Sequence, residues 1–411
     1  MTIFPLQLSE IFGHWGSYVV YLIIGFAFGY VLEIAGFGKS DKLAAQFYFK
    51  EWTVLKVMFG AIIVAMILIF AATGLGLLDY NLIWVNPTYL WPGIVGGLIM
   101  GVGFILGGFC PGTSLVSAAT GKVDGIIFVA GVFFGIFLFG ETVGFYEDFW
   151  YSSYMGRFTL MDLFNVNTGI IVLLITIAGM GVFAIGELSE KHIGKMDLAQ
   201  FGNWRYGAIV VSIIAAGIVF VIGQPTNADR WDAISAEQEA RIADREIFAH
   251  PGEILEFMAD PKIIVQVIDV RSETDFNLFH ILDATHVPLA DVEDYADTLL
   301  LQPINTLFVV ASNDETAATE AWRILMAESV PNVYILEGGI NNWVALFGSE
   351  DDLSQFALAD YGDDNFAYVF PELLGSRYAA ANPNHDVFSE MEFESKVELS
   401  IPRGPASGGC G

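Results

Sequence analysis

The chain has two cysteines, and each is set among glycines. Cys110 lies in Gly107-Gly-Phe-Cys-Pro-Gly-Thr-Ser114. Proline suits the first position of a helix, and the small and hydroxyl residues around it suit a helix start. The spacing therefore predicts Cys110 at an N-cap, facing backbone N–H groups and the positive end of a helix dipole. Such a setting favours a thiolate and a bound anion alike, and a small sulfur-containing anion satisfies both. The competing reading makes Cys110 a small apolar filler between helices. Cys410 stands in Gly408-Gly-Cys-Gly411, where glycines leave no side chain to block entry into a narrow pocket. From Pro402 to Cys410 the chain can extend about 30 Å, enough to reach a pore mouth or the active site of a partner. The competing reading there is a disordered end with a chance cysteine. Two cysteines so placed imply no disulfide framework, and no metal or cofactor is expected.

The elements that must position these thiols follow from a division of the chain. Up to Pro225 there are nine Lys+Arg against thirteen Asp+Glu; from Thr226 onward there are nine against thirty-four. Apolar runs of spanning length recur at about 17–37, 53–78, 90–109, 123–145, 166–186 and 205–223. Short helices that dip in without crossing are expected at 43–49 and 111–120. Met1 to Trp15 holds no Lys or Arg, so the first run reads as a retained span and not as a cleaved signal. Alternate connections carry Lys39, Lys42, Lys50 and Lys56, then Lys122, then Lys191, Lys195 and Arg205, while the others carry only Arg157. Basic residues mark the cytoplasmic side. The expectation is a multi-pass protein of the inner (cytoplasmic) membrane, with both termini and the acidic part extracytoplasmic. The strong negative charge argues against nucleic acid and against docking on anionic lipid, and it suits a solvated face that keeps a tethered domain soluble.

The membrane part repeats at a spacing of about 72 residues: Gly36-Phe37-Gly38 follows span one as Gly108-Phe109-Cys110 follows span three, with Gly60 and Gly131 further on. Internal repeats are a habit of transporters; close helix packing also selects such glycines. After Gly223-Gln-Pro-Thr-Asn227, a helical pattern is expected over 233–259. Strands are expected at 263–269, 307–311 and 332–336, with a helix over 314–328 between the last two. That alternation predicts an α/β domain with a parallel sheet. The acidic, aromatic stretch 351–401 has no clear pattern, and 402–411 reads as a flexible tail.

The pattern Gly-Gly-x-Cys-x-Gly-Thr, between Gly-rich spans and followed by Gly121-Lys122, resembles the YeeE/YedE family of thiosulfate-transporter-like membrane proteins over about 20–145. The resemblance implies that Cys110 passes a sulfur anion along a central path, with Gly108, Gly112 and Thr113 shaping its site. Two departures matter. Phe37-Gly38 stands where the family has Phe-Cys, and the motif pair occurs once where a full-length member carries it twice. A complete path then calls for two copies of this chain or a second protein. In the acidic part, Val267-Ile-Asp-Val-Arg271, Phe279-His-Ile-Leu-Asp-Ala284 and Leu336-Glu-Gly-Gly-Ile-Asn-Asn-Trp343 resemble the rhodanese family over about 245–348. The resemblance puts the nucleophilic cysteine's position on Ser312, in Val309-Val-Ala-Ser-Asn-Asp-Glu-Thr316. A hydroxyl cannot hold sulfane sulfur as a persulfide, and Asp314 and Glu315 repel an anionic donor. No catalytic residue is therefore expected; Asp269 with Arg271 reads as a structural pair and His280 as a fold residue. The ending resembles the Gly-Gly-Cys-Gly-Gly arm of the SoxY sulfur carriers, one glycine short, which implies a sulfur-carrier role for Cys410.

The combined expectation is an α-helical membrane bundle of about six spans with short re-entrant helices, followed by an α/β rhodanese-like domain. Its divisions are 1–225 transmembrane, 226–244 linker and helix, 245–350 rhodanese-like, 351–401 acidic extension and 402–411 tail. The function expected is transport or trafficking of thiosulfate or sulfane sulfur, with the outer domain docking periplasmic sulfur-oxidation proteins and Cys410 carrying sulfur. The alternative is a non-transporting membrane anchor or scaffold for a sulfur-oxidation complex. Partners expected are the small sulfur species, membrane lipid, those periplasmic proteins and a second copy of the chain; a sulfurtransferase enzyme is not expected.

Overall fold

The computed structural model describes residues 4–6, 8–196, 202–358, 362, 364–371, 378–389 and 391–399. They form two compact units that meet between Gln224 and Pro225. The Gly-Gly-Cys-Gly ending, with Cys410, lies outside the described residues.

The first unit is helical: α1 (Leu8–Ala35), α2 (Ser40–Ala45), α3 (Thr53–Gly74), α4 (Leu90–Gly107), α5 (Pro111–Ala119), α6 (Val123–Thr142), α7 (Glu147–Trp150), α8 (Leu160–Phe164), α9 (Thr168–His192) and α10 (Trp204–Ile222). Among the described residues, six spans are long and apolar enough to cross a membrane; α4 and α5 together make one of them. Their sides are exposed and apolar: Leu106 is 83% accessible and Val221 81%. An apolar face this large on a folded unit needs lipid and not water around it. The unit is a membrane-spanning bundle. α2 and α5 are the two short helices anticipated near 43–49 and 111–120. α3, α9 and α10 pack through Ile63, Ile67, Val172, Ala216 and Val219. A second cluster joins Leu32, Phe37, Leu43, Val54 and Phe109, with Phe104, Val116 and Phe128 against it. That cluster holds both glycine-flanked loops, because the phenylalanine of each, Phe37 and Phe109, is fully buried in it.

The second unit opens with α11 (Asn227–Ala243), capped by Thr226, whose hydroxyl accepts from the Asp229 amide. It continues with β1 (Phe248–Ala249), α12 (Pro251–Ala259), β2 (Ile264–Asp269), α13 (Glu273–Leu278), β3 (Thr285–His286), α14 (Val292–Leu300), β4 (Thr306–Ala311), α15 (Thr316–Ala327), β5 (Val333–Leu336), α16 (Gly339–Phe347) and α17 (Glu350–Phe356). The sheet is parallel in the order β1-β5-β4-β2-β3. Central β4 is buried on both faces and alternates between two cores, as a period of two requires. Leu307, Val309 and Ala311 join one core, Phe308 and Val310 the other.

Two expectations change here. The single helical run expected over 233–259 is two helices, because Arg245 takes a left-handed conformation (φ 56°) and the chain enters β1 before α12 begins. The stretch beyond 350 also has a definite place: Phe366, Phe370, Ala380, Ala381 and Val397 belong to the first core. They are held there by Trp343 Nε1 donating to the Ala380 carbonyl (2.7 Å) and by the buried Glu253 carboxylate accepting from the Val397 amide (2.9 Å). An aromatic-rich segment without periodicity thus covers one face of the sheet.

Candidate functional site

Cys110 sits where its neighbours dictate. α4 ends at Gly108, whose left-handed φ of 70° lets its N–H return to the Phe104 carbonyl. A Cβ built there would also meet Ser40, 3.0 Å from its backbone oxygen, so the Gly108 loop lies hard against the start of α2. Phe109 plugs the core, and Cys110 is the extended N-cap of α5. Its Sγ accepts from the Thr113 amide at 3.4 Å, while its own N–H donates to Thr113 Oγ1 at 2.9 Å, a reciprocal capping box. Pro111 supplies no competing N–H at N1, and Gly112 follows at the second helical position. The thiol is half-buried. Below it on α5, Thr113, Ser114 and Ser117 are buried, and the Ser117 hydroxyl has no hydrogen-bond partner among the described residues. Gly108, Cys110, Gly112 and Thr113, singled out from the sequence, make one loop and helix start. What that start offers is a sulfur atom at a helix N-terminus with the Thr113 N–H directed at it.

The Ser312 loop runs from β4 into α15 and differs in kind. Ser312 is fully buried; its Oγ donates to the Asp314 carbonyl and accepts from the Ala318 amide, both at 3.1 Å. Two amides of this helix start, Thr316 and Ala318, and the Gly338 amide at the start of α16 are engaged by the loop's own oxygens. Thr316 N–H donates to Asp314 Oδ1 (2.7 Å) and Gly338 N–H to Glu315 Oε1 (2.7 Å). Asp314 also accepts from the Asp364 amide at 3.0 Å. Burial pushes the Asp314 carboxyl up, but the hydrogen bonds from Thr316 and Asp364 outweigh it and hold the group below the usual aspartate range. Asp364 is pushed above that range, first by burial and then by the charge of Asp314.

Sequence reasoning found no basic residue in this loop, and the structure supplies one from outside it. Arg245, in the turn after α11, forks onto Glu315 at 3.0 and 2.8 Å and reaches Glu337 at 3.1 Å. Its hydrogen bonds to Glu315 raise its pKa against the opposing effect of burial, so it stays charged. The guanidinium therefore neutralises loop carboxylates. No spacing in the sequence pairs residues seventy apart; the only local cue was the end of an amphipathic helix. Asp269 and Arg271 form a buried bidentate pair, with Arg271 also donating to the Phe279 carbonyl. His280 stacks on Phe276 and bonds its carbonyl.

A membrane-spanning helical bundle followed by a parallel α/β domain defines a multi-pass membrane protein with an appended α/β domain. The chain belongs to the sulphur transport family, which matches residues 35–244. The rhodanese-like domain family matches residues 250–346, a stretch that contains no cysteine. A curated relative, the thiosulfate transporter TsuA of Spirochaeta thermophila, is 23% identical over 218 residues, covering 49% of this chain and 62% of the relative. The chain thus spans less than two thirds of that protein's length. A solution structure of a rhodanese-like domain from Anabaena is 20% identical and covers 28% of this chain and 89% of its own, with a TM-score of 0.22.

Proposed function

We propose that this chain moves a reduced sulfur anion, thiosulfate or a close analogue, through its membrane bundle past Cys110. The observation that supports this reading is the thiol at the α5 N-cap with the Thr113 amide directed at it. A thiol so placed donates a weak S–H bond to the anion while the helix start supplies N–H groups and positive potential. Gly108, Gly112 and Thr113 shape the approach. By the distribution of basic residues the bundle has both termini outside the cytoplasm, and the rhodanese-like domain serves there as a docking module without sulfurtransferase turnover. Cys410, on its sequence context alone, acts as a mobile sulfur carrier for a periplasmic partner, and a second copy of the chain completes the path.

Labelled thiosulfate offered to proteoliposomes containing the purified chain tests this. Time-dependent uptake above protein-free liposomes is expected. A folded, correctly inserted protein that moves none would favour the non-transporting anchor.

A further inference from the structure

We propose that the Lys122 ammonium is an anion-binding station on the path, standing where the internal repeat places the counterpart of Cys110, and that the arriving anion displaces Glu33 from it. The inference rests on the transport reading. Within this chain, Gly36-Phe37-Gly38 matches Gly108-Phe109-Cys110, so Gly38 occupies the position of the thiol. The structure brings the two loops together: Phe37 and Phe109 share one buried cluster, and Gly108 lies against Ser40. At Gly38 the space that a side chain would need is filled by an ion pair. A Cβ built there would stand 2.7 Å from Lys122 Nζ, with Glu33 Oε2 closer still.

The pair is loosely made. Lys122 Nζ lies 3.1 and 3.5 Å from the two Glu33 oxygens, longer than a tight charge-assisted bond. Both side chains are partly accessible, at 30% and 39%. The nearby Asp124 is engaged elsewhere, accepting from Ser40 Oγ at 3.1 Å and from the Gly125 amide at 3.0 Å. Lys42 donates to the Ala35 carbonyl and faces Glu51. Among the described residues, Lys122 is therefore an ammonium held by one displaceable carboxylate, beside a residue with no side chain to shield it. A dianion such as thiosulfate carries twice the charge of Glu33 and competes for that ammonium at the same distance. The Cys110 loop then offers a thiol, and beside the Gly38 loop the ammonium of Lys122, from the turn between α5 and α6, stands where a second thiol would be.

The sign of the charge separates this role from a structural ion pair. In proteoliposomes, Lys122→Gln should raise the half-saturating thiosulfate concentration about tenfold or more, the usual scale for a lost charged hydrogen bond. Lys122→Arg should stay near the native value, and Glu33→Gln should leave that concentration unchanged or lower it, because the ammonium is freed. If Lys122→Gln and Glu33→Gln fall together, or Lys122→Gln saturates like the native chain, the station is wrong. Thermal stabilisation of the detergent-solubilised chain by thiosulfate gives a readout independent of flux. Stabilisation that Lys122→Gln abolishes and Glu33→Gln keeps, in a chain that moves nothing, would sink the transport reading and retain the site. Absence of both flux and stabilisation overturns the station as well.

Discussion

The Cys110 loop and the Ser312 loop both lie at helix starts, and they are capped differently. At the first, proline and glycine are the opening residues of the helix, the residue at the cap is a thiol, and the amide at the third position points to its sulfur. At the second, the cap region is crowded with carboxylates: the Thr316 and Ala318 amides are satisfied by Asp314 and Ser312, and Glu315 reaches across to the Gly338 amide at the start of α16. A helix N-terminus attracts an anion only while its N–H groups are available. Where the chain supplies its own oxygens the same geometry becomes a structural knot.

If the Ser312 loop is a knot, breaking its supports should unfold the domain. Arg271→Met strands Asp269, which is fully buried, and should cost the second unit about 3–5 kcal/mol. Hydrogen exchange of peptides from β2 and β4 in the full chain should rise sharply, whereas unchanged protection would show that the pair is dispensable. The glycines supporting each loop come next. Gly339→Ala meets the carbonyls of Asp314, Ser312 and Asn313 at φ 64°, that of Asp314 nearest, while Gly108→Ala meets Ser40 at 3.0 Å at φ 70°. Each should cost at least about 1–3 kcal/mol of local strain, the first more than the second in melting measurements. Equal costs would mean that the two loops are equally tight.

A smaller effect is expected at Asp364. Its raised pKa means the folded state carries no penalty while the group is protonated, and loses stability as pH rises through the raised value. Asp364→Asn should therefore raise the Tm of the second unit modestly above the usual aspartate range and leave it unchanged in acid. Asp314 is the reverse, its depressed pKa giving stability that is complete above the unfolded value and lost as pH falls. A larger gain for Asp364→Asn in acid than at neutral pH would contradict the assignment. Smallest of all is the gain from Ser312→Cys, which should leave thiosulfate:cyanide sulfurtransferase turnover at background in a chain whose Cys410 is replaced by Ser. Appreciable turnover would mean that the loop can still open for an anion.

What could be read from the sequence was local. Spans show as long apolar runs, and Pro111 with Thr113 marks a helix start whatever surrounds it. β4 was legible because a strand buried on both faces is apolar throughout. The interactions that escaped were those made by residues far apart in the chain. Lys122 and Glu33 are 89 positions apart, and in the sequence Lys122 carried its meaning as a basic residue at a span end and as part of the Gly121-Lys122 pattern, neither of which points to Glu33. Arg245 and Glu315 meet through the order of the sheet, and the aromatic residues of 366–370 cover a core they do not resemble in pattern. The end of α11 escaped for a different reason: Ile247 and Phe248 continue the apolar spacing of a helix, and only the left-handed turn at Arg245 stops it.

The central claim is that Cys110 handles the sulfur anion and is not packing. Thiosulfate flux through proteoliposomes of Cys110→Ala, compared with native chain at equal reconstituted amount, tests it most directly. Removing one half-buried thiol should cost stability no more than about 1–2 kcal/mol, so the protein should remain folded and inserted. The account predicts flux at the level of empty liposomes; flux equal to that of the native chain would reduce Cys110 to a filler and contradict it.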